Sequence, residues 1–203
     1  MKILSKNLDT YQALIFDLDG TLLNSMPLHN RAWKDAFAEN GVTVTESFLM
    51  ETAGMASPRI VSIINERFNK ALDPKAVSLL KREKYLETLE QVEVFKPLLA
   101  IIQTYHHKLP LGVITGGSHA VVDMLLPKLN LAHYFDFIIC SDDTKLGKDS
   151  AEPYELMAST LKVNISKCLF FDDGDIGLKG ARLAGMDVLH VDINHPDVFS
   201  IPL

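Results

Sequence analysis

Cysteine is scarce in this chain, where Cys140 and Cys168 are the only two. Two thiols, each inside an apolar run (FDFIIC and KCLFF), supply neither a disulfide framework nor a zinc-ligand cluster, and both read as buried strand packing. No stretch of about 18 apolar residues occurs, which excludes a membrane-spanning helix. The opening residues, MKILSKNLDTYQALIFD, interrupt their apolar stretches with polar ones and lack the continuous core of a secretory signal. A soluble protein of a reducing cytoplasm, with no membrane partner, is the expectation. Lys/Arg-rich blocks are missing too, and at a net charge of −6 a nucleic-acid polyanion is repelled overall. There is no internal repeat and no low-complexity segment. A small phosphate held by a few local cations remains compatible with all of this.

What is present is a chain long enough for one full core and a modest second lobe: 203 residues, 47% hydrophobic. QALIFD is a short apolar run that ends in an acid and meets Gly20-Thr21, the pattern of a buried strand stopping at a functional loop. Similar runs recur at 109–115 (LPLGVIT), 135–140 (FDFIIC), 167–172 (KCLFFD) and 187–192 (DVLHVD), separated by stretches with helical spacing. Strands alternating with helices predict a parallel sheet, and strands buried on both faces are continuously apolar, as LIF, GVI and LFF are. The fold class predicted is a doubly wound α/β core.

Strand signals vanish over residues 27–93, where three or four helices are predicted. Pro58 and Pro74 stand near helix starts, after Ser57 and Asp73 as N-cap candidates. This segment reads as a small helical cap inserted after the first strand, with the core made of residues 1–26 and 94–203. Tethers at 22–27 and 92–97 would let it hinge over the strand's loop.

Ligand sites in open α/β sheets lie beyond the carboxyl ends of the strands. Polar residues gather there: Asp17-Leu18-Asp19-Gly20-Thr21, Thr115-Gly116-Gly117-Ser118, a segment with Asp142, Asp143, Lys145 and Lys148, and Asp172-Asp173. Carboxylates so crowded repel one another unless a cation sits among them, and magnesium, with its preference for oxygen ligands, suits the site. Asp17 and Asp173 are the first choice of side-chain ligands, with Asp172 next. Lys148, the Thr115 hydroxyl and the amides of Gly116 and Gly117 can offset the charge of a phosphoryl group, leaving Asp17 to attack it as nucleophile. The Gly20 turn can bring Asp19 over the leaving-group oxygen as acid and then base, roles favoured by a raised pKa. Taken singly, Asp142 and Asp175 read as ordinary turn formers or helix caps.

The series DLDGTLLNS, VITGGS, a lysine and FFDDGDIG, in that order, resembles the haloacid dehalogenase superfamily of phosphohydrolases over nearly the whole chain. Within it, the helical insert and the stretches HNRAW, GMASPR and LKREKY resemble the β-phosphoglucomutase-like subgroup, and fructose-1-phosphatase-like members in particular. The resemblance implies Asp17 as nucleophile, Asp19 as acid/base, and Thr115, Gly116 and Lys148 as phosphate-binding residues. It implies Mg2+ on Asp17, Asp172, Asp173 and the backbone carbonyl of Asp19, and cap residues His29 and Arg59 approaching the substrate. Its expected partner is a small phosphorylated metabolite, met by a monomer. After the motif lysine the subgroup usually has Pro-x-Pro, whereas Lys148 precedes Asp149-Ser150-Ala151-Glu152-Pro153, so that loop is less preordered and Lys145 is the alternate cation. A phosphosugar mutase is the nearest rival activity. A dehalogenase would need no magnesium, and a non-catalytic phosphometabolite-binding relative would not need the intact acids.

Overall fold

The computed structural model describes residues 7–194. Five parallel strands form its sheet: β1 (Ala13–Phe16), β4 (Leu111–Ile114), β5 (Phe137–Ile139), β6 (Cys168–Asp172) and β7 (Asp187–His190), in the order β5-β4-β1-β6-β7. Each is one of the runs predicted from sequence. Side chains alternate between the two faces, and helices cover both. Leu14, Phe16, Leu111, Val113, Leu169 and Phe171 pack on one face with Leu98 and Ile102 of α5 (Lys96–Tyr105) and Val122 and Leu125 of α6 (His119–Lys128). Ala13, Ile15, Ile114, Cys168 and Phe170 pack on the other, with Tyr154 and Met157 of α7 (Glu152–Leu161) and Leu178 and Ala181 of α8 (Asp175–Ala184). Residues 13 to 16 of β1 are all fully buried, and at roughly 1.5–3 kcal/mol per buried Leu, Ile or Phe side chain this central strand anchors the sheet. The doubly wound fold is therefore as predicted.

Four helices lie between β1 and α5: α1 (Met26–Glu39), α2 (Glu46–Glu51), α3 (Ser57–Phe68) and α4 (Pro74–Leu86). They enclose an apolar cluster of their own, with Trp33, Phe37, Val44, Phe48, Leu49, Ile60, Ile64 and Val77. Asp73 caps α4 through the Lys75 amide, at 2.9 Å. Ser57 is already helical, and Ala56 occupies the cap position without a side-chain bond. The chain enters and leaves the four helices through a ribbon that periodicity did not reveal: β2 (Leu23–Asn24) pairs antiparallel with β3 (Glu93–Val94).

The order of the sheet fixes where a site can form. From β1 the chain winds outward through β4 to β5, then returns to place β6 on the other side of β1. The crevice of such a reversal opens at the carboxyl ends of β1 and β6, where Asp17 and Asp172 stand.

Candidate active site

Asp17 follows β1 directly and is 4% exposed. Its Oδ1 accepts a hydrogen bond from Lys148 Nζ at 2.6 Å. The same ammonium lies 2.6 Å from Asp172 Oδ2, close enough for an ion pair though not aligned as a hydrogen bond. Burial alone would depress the Lys148 pKa, but Asp17 and Asp172 outweigh it and hold the lysine protonated. Lys145 is exposed, whereas Lys148 is buried against these two acids. Its loop is held without the prolines: the Tyr154 hydroxyl, buried under the sheet, lies 3.0 Å from the Lys148 carbonyl and 2.8 Å from that of Gly177. That tyrosine lies six residues beyond the lysine, and only the packing of α7 against α8 shows its role.

Carboxylate oxygens of Asp17, Asp172 and Asp173 lie within 4.8 Å of one another. Burial, with repulsion from Asp172, pushes Asp173 up to about 6. Burial and the two neighbouring acids likewise raise Asp17 despite Lys148. Three carboxylates facing one ammonium leave two negative charges, the complement of a divalent cation, and the all-oxygen donor set fits magnesium. Thr21 fixes Asp173 from both sides: its hydroxyl donates to Asp173 Oδ1 at 2.8 Å and its oxygen accepts from the Asp173 amide at 2.9 Å. Gly20 turns the chain with φ +89°, and a Cβ there would stand 2.4 Å from Asp173 Oδ2, so only glycine lets the two strand ends close up.

Asp19 lies beside this cluster, not in it. The Ser25 hydroxyl donates to its Oδ1 at 2.6 Å, and His29 Nε2 is 2.9 Å from the same oxygen. Behind the ring, Lys81 Nζ is 2.6 Å from His29 Nδ1. An ammonium can only donate, so Nδ1 accepts, and Nε2 carries the proton it shares with Asp19. Burial, together with Lys81, lowers the His29 pKa, which agrees with a neutral ring between the two charges. Burial lowers Lys81 itself to about 8. Burial works against the Asp19 carboxylate as well, but His29, Ser25 and Lys81 outweigh it and hold Asp19 well below the usual range. The raised pKa that would favour both roles of Asp19 is not what this arrangement gives: here the acid is ionised and tethered.

Asp17, Asp19, His29, Lys81, Thr115, Gly116 and Gly117 share one cavity of about 90 Å³ with Met26, Asn30, Trp33, Leu49 and Thr52. Thr115 is 2% exposed, its hydroxyl oxygen accepting from the Gly117 amide at 3.0 Å. Arg59 does not reach this cavity, contrary to its assignment from sequence. It lies in the first turn of α3, whose Ile60, Val61 and Ile64 face inward; its guanidinium points out, 3.8 Å from Glu66. Asp142 accepts from the amide of His119 at the start of α6, at 3.1 Å, as a capping residue would, whereas Asp175 sits in the first turn of α8 behind Gly174 at the cap position, which makes no side-chain bond. Ser25 and Lys81 went unassigned in the sequence although DLDGTLLNS and LKREKY contain them, because neither is an acid or glycine at a strand end and their contacts with Asp19 and His29 are tertiary.

A helical lobe closing over strand-end acids on a doubly wound sheet agrees with the family comparison: the haloacid dehalogenase-like hydrolase model matches residues 11–185. The chain belongs to that family and is an enzyme of its phosphatase type. Among individual proteins it is 34% identical to the fructose-1-phosphate phosphatase YqaB of Escherichia coli (strain K12), over 90% of this chain and 97% of that one. It is 26% identical to the 6-phosphogluconate phosphatase of the same organism, over 88% and 81% of the two chains. In fold it is similar to the β-phosphoglucomutase of Clostridium difficile, with a TM-score of 0.77 at 20% identity, covering 88% of this chain and 83% of that one. No helix among the described residues is long and apolar enough to cross a membrane.

Proposed function

We propose that this protein is a magnesium-dependent phosphatase of small sugar phosphates, acting as a cytoplasmic monomer through a phospho-aspartate on Asp17. The observation that carries the reading is the buried Asp17 carboxylate, paired with Lys148 and flanked by Asp172 and Asp173 at the cavity it shares with Asp19 and Thr115. Similarity to a fructose-1-phosphate phosphatase over nearly both chains supports a compact ketose or aldose phosphate as substrate. Asp17, Asp172, Asp173 and the Asp19 carbonyl would hold Mg2+, which supplies positive charge against the repulsion between nucleophile and phosphate.

The carboxylate of Asp17 attacks phosphorus, the ester P–O bond breaks, and Asp19 delivers a proton to the leaving oxygen. Asp19 then takes a proton from water, whose oxygen attacks phosphorus and releases inorganic phosphate, restoring Asp17. Lys148, Thr115 and the Gly116 amide hold the phosphoryl oxygens throughout. Because Asp19 is ionised while His29 and Ser25 grip it, it takes up a proton from solvent as the arriving substrate displaces those bonds. At about 90 Å³ the closed cavity is far smaller than the roughly 300–1,000 Å³ of small-molecule sites. Substrate therefore enters only when residues 27–93 swing away as a cap from the core of residues 1–26 and 94–203.

Phosphate release from a panel of metabolite phosphates, with magnesium and with chelator, tests this. The panel includes fructose 1-phosphate, β-glucose 1-phosphate and 6-phosphogluconate. Magnesium-dependent release concentrated on one or two sugars supports the proposal. Substrate consumed without stoichiometric inorganic phosphate would instead indicate a mutase. Asp17→Asn should abolish release while the circular dichroism spectrum stays unchanged, and an active Asp17→Asn enzyme would overturn the mechanism.

A further inference from the structure

A second group of ligating side chains lies on the same rim, apart from the acid cluster. His119 opens α6, Cys140 follows β5 and Asp142 comes two residues later, and a ligand atom from each lies within 4.8 Å of the other two. The strand end and the phosphate loop are joined here, the Ser141 amide donating to the Gly117 carbonyl at 2.9 Å. We propose that His119, Cys140 and Asp142 bind a thiophilic divalent cation of the zinc(II) class, at a site distinct from the magnesium site.

The donor set decides the class of ion. Magnesium takes oxygen and avoids sulfur, whereas zinc accepts imidazole nitrogen, thiolate and carboxylate together. Tetrahedral bonds of about 2.0–2.3 Å place ligand atoms about 3.3–3.8 Å apart. The ligand atoms, at most 4.8 Å apart, lie within about 1.5 Å of that spacing. The surroundings supply what a ligating histidine needs. His119 Nε2 lies 2.8 Å from Asp143 Oδ2 and Nδ1 lies 3.2 Å from Asp123 Oδ1, so whichever nitrogen binds metal, the other keeps a carboxylate to orient the ring.

Charge points the same way. Asp123 and Asp143 hydrogen-bond the His119 imidazole and raise its pKa, while Asp142 accepts from the His119 backbone amide. Burial, with the same three acids, pushes the Cys140 thiol up to about 12, so without metal the thiol keeps its proton. Binding releases the Cys140 thiol proton, and any proton on the coordinating imidazole nitrogen, to solvent, in exchange for a 2+ ion. Cys140 is 1% exposed and forms the floor, while the His119 side chain is 39% exposed, so an ion can enter from solvent.

The test uses chelator-stripped full-length protein, resupplied with excess Mg2+ to fill the acid cluster and titrated with Co2+, a visible stand-in for Zn2+. The expected result is an intense thiolate-to-cobalt charge-transfer absorption saturating at one equivalent and bleached by Zn2+. Zn2+ at a hundredfold excess over Kd should also raise the melting temperature by roughly 5 °C or more. Cys168→Ser keeps the absorption and Cys140→Ser loses it. Asp142→Asn changes an exposed side chain, leaves the core intact and weakens Co2+ binding about tenfold or more, as does His119→Ala. The proposal is overturned if the wild type shows no thiolate absorption, if the absorption survives Cys140→Ser, or if both Asp142→Asn and His119→Ala bind Co2+ as tightly as wild type.

Discussion

At the scale of single residues, the informative contact is the row Lys81–His29–Asp19, with the lysine buried against Trp33 and Tyr85 at 5.5 and 5.1 Å from their ring centres. Burial holds Lys81 at about 8, below the ordinary lysine value, so the ammonium persists below that pH and is lost above it. Losing it removes a positive charge from the cavity that an anionic phosphate ester must enter, and so weakens substrate capture. The pH profile of kcat/KM for phosphate release should therefore carry a basic limb near pH 8, falling about tenfold per further pH unit. Lys81→Arg, which stays charged, should move that limb upward, and a limb unmoved by it would assign the titration elsewhere. Arg59 makes the opposite case: its outward guanidinium predicts that Arg59→Ala leaves kcat/KM within about twofold of wild type in the same assay. The contrast shows what was legible in the sequence. Asp17, Asp19, Thr115, Lys148, Asp172 and Asp173 could be found because strands deliver their last residues to one rim. Lys81 could not, since it meets His29 across 52 residues and lies on a helix whose charges otherwise face solvent. Arg59 failed for a related reason: a motif supplies the position along α3 but not the face.

At the scale of elements, the strands were readable because burial on both faces leaves continuous apolar runs. The β2–β3 ribbon, two residues per strand, is too short for any periodicity. The loop between β5 and α7 carries the departure that mattered most, the lost prolines after Lys148. Here the structure substitutes a tertiary clamp for local rigidity. Tyr154, on α7, reaches back to the Lys148 carbonyl and across to that of Gly177 on α8. Ser150 adds a bond from its hydroxyl to the Gly147 carbonyl, at 2.9 Å. Removing the tyrosine hydroxyl keeps the packed ring and releases the loop. Tyr154→Phe should raise KM between about twofold and tenfold, as the loss of about 0.5–1.5 kcal/mol of hydrogen bonding implies, with kcat less affected. Steady-state kinetics on the best substrate of the panel decides it, and an unchanged KM would mean that Lys148 is held by its ion pairs alone. The His119, Cys140 and Asp142 group belongs to this scale too: its ligands come from two elements that only the sheet order brings together, which is why two scattered cysteines gave no sign of it.

At the scale of the whole molecule, the question is how the four-helix lobe meets the sheet. One contact is backbone against backbone: a Cβ placed on Gly116, in the phosphate loop, would stand 2.5 Å from the carbonyl oxygen of Gly54, in the turn between α2 and α3. Neither partner can rotate out of the way, so a side chain at 116 is incompatible with the closed lobe. Yet it should cost the core little, because the clash crosses between lobe and sheet and would vanish on the opening proposed above. Gly116→Ala is thus a variant that separates closure from folding. It should lower kcat/KM by at least about tenfold, as expected when a closing step completes the site. Its melting temperature should stay within about 2 °C of wild type, a shift that corresponds to roughly 1 kcal/mol or less. Gly117→Ala is the matched control. A Cβ there meets Thr115 and Val122 at 3.4 Å, ordinary contact distances within the core, and activity should stay within about threefold. Small-angle scattering gives the independent reading, since Gly116→Ala should show a larger radius of gyration than either wild type or Gly117→Ala. If Gly116→Ala stays as compact and as active as wild type, the closed contact between Gly54 and Gly116 is not part of the working cycle, and substrate must reach Asp17 with the lobe held away from the sheet.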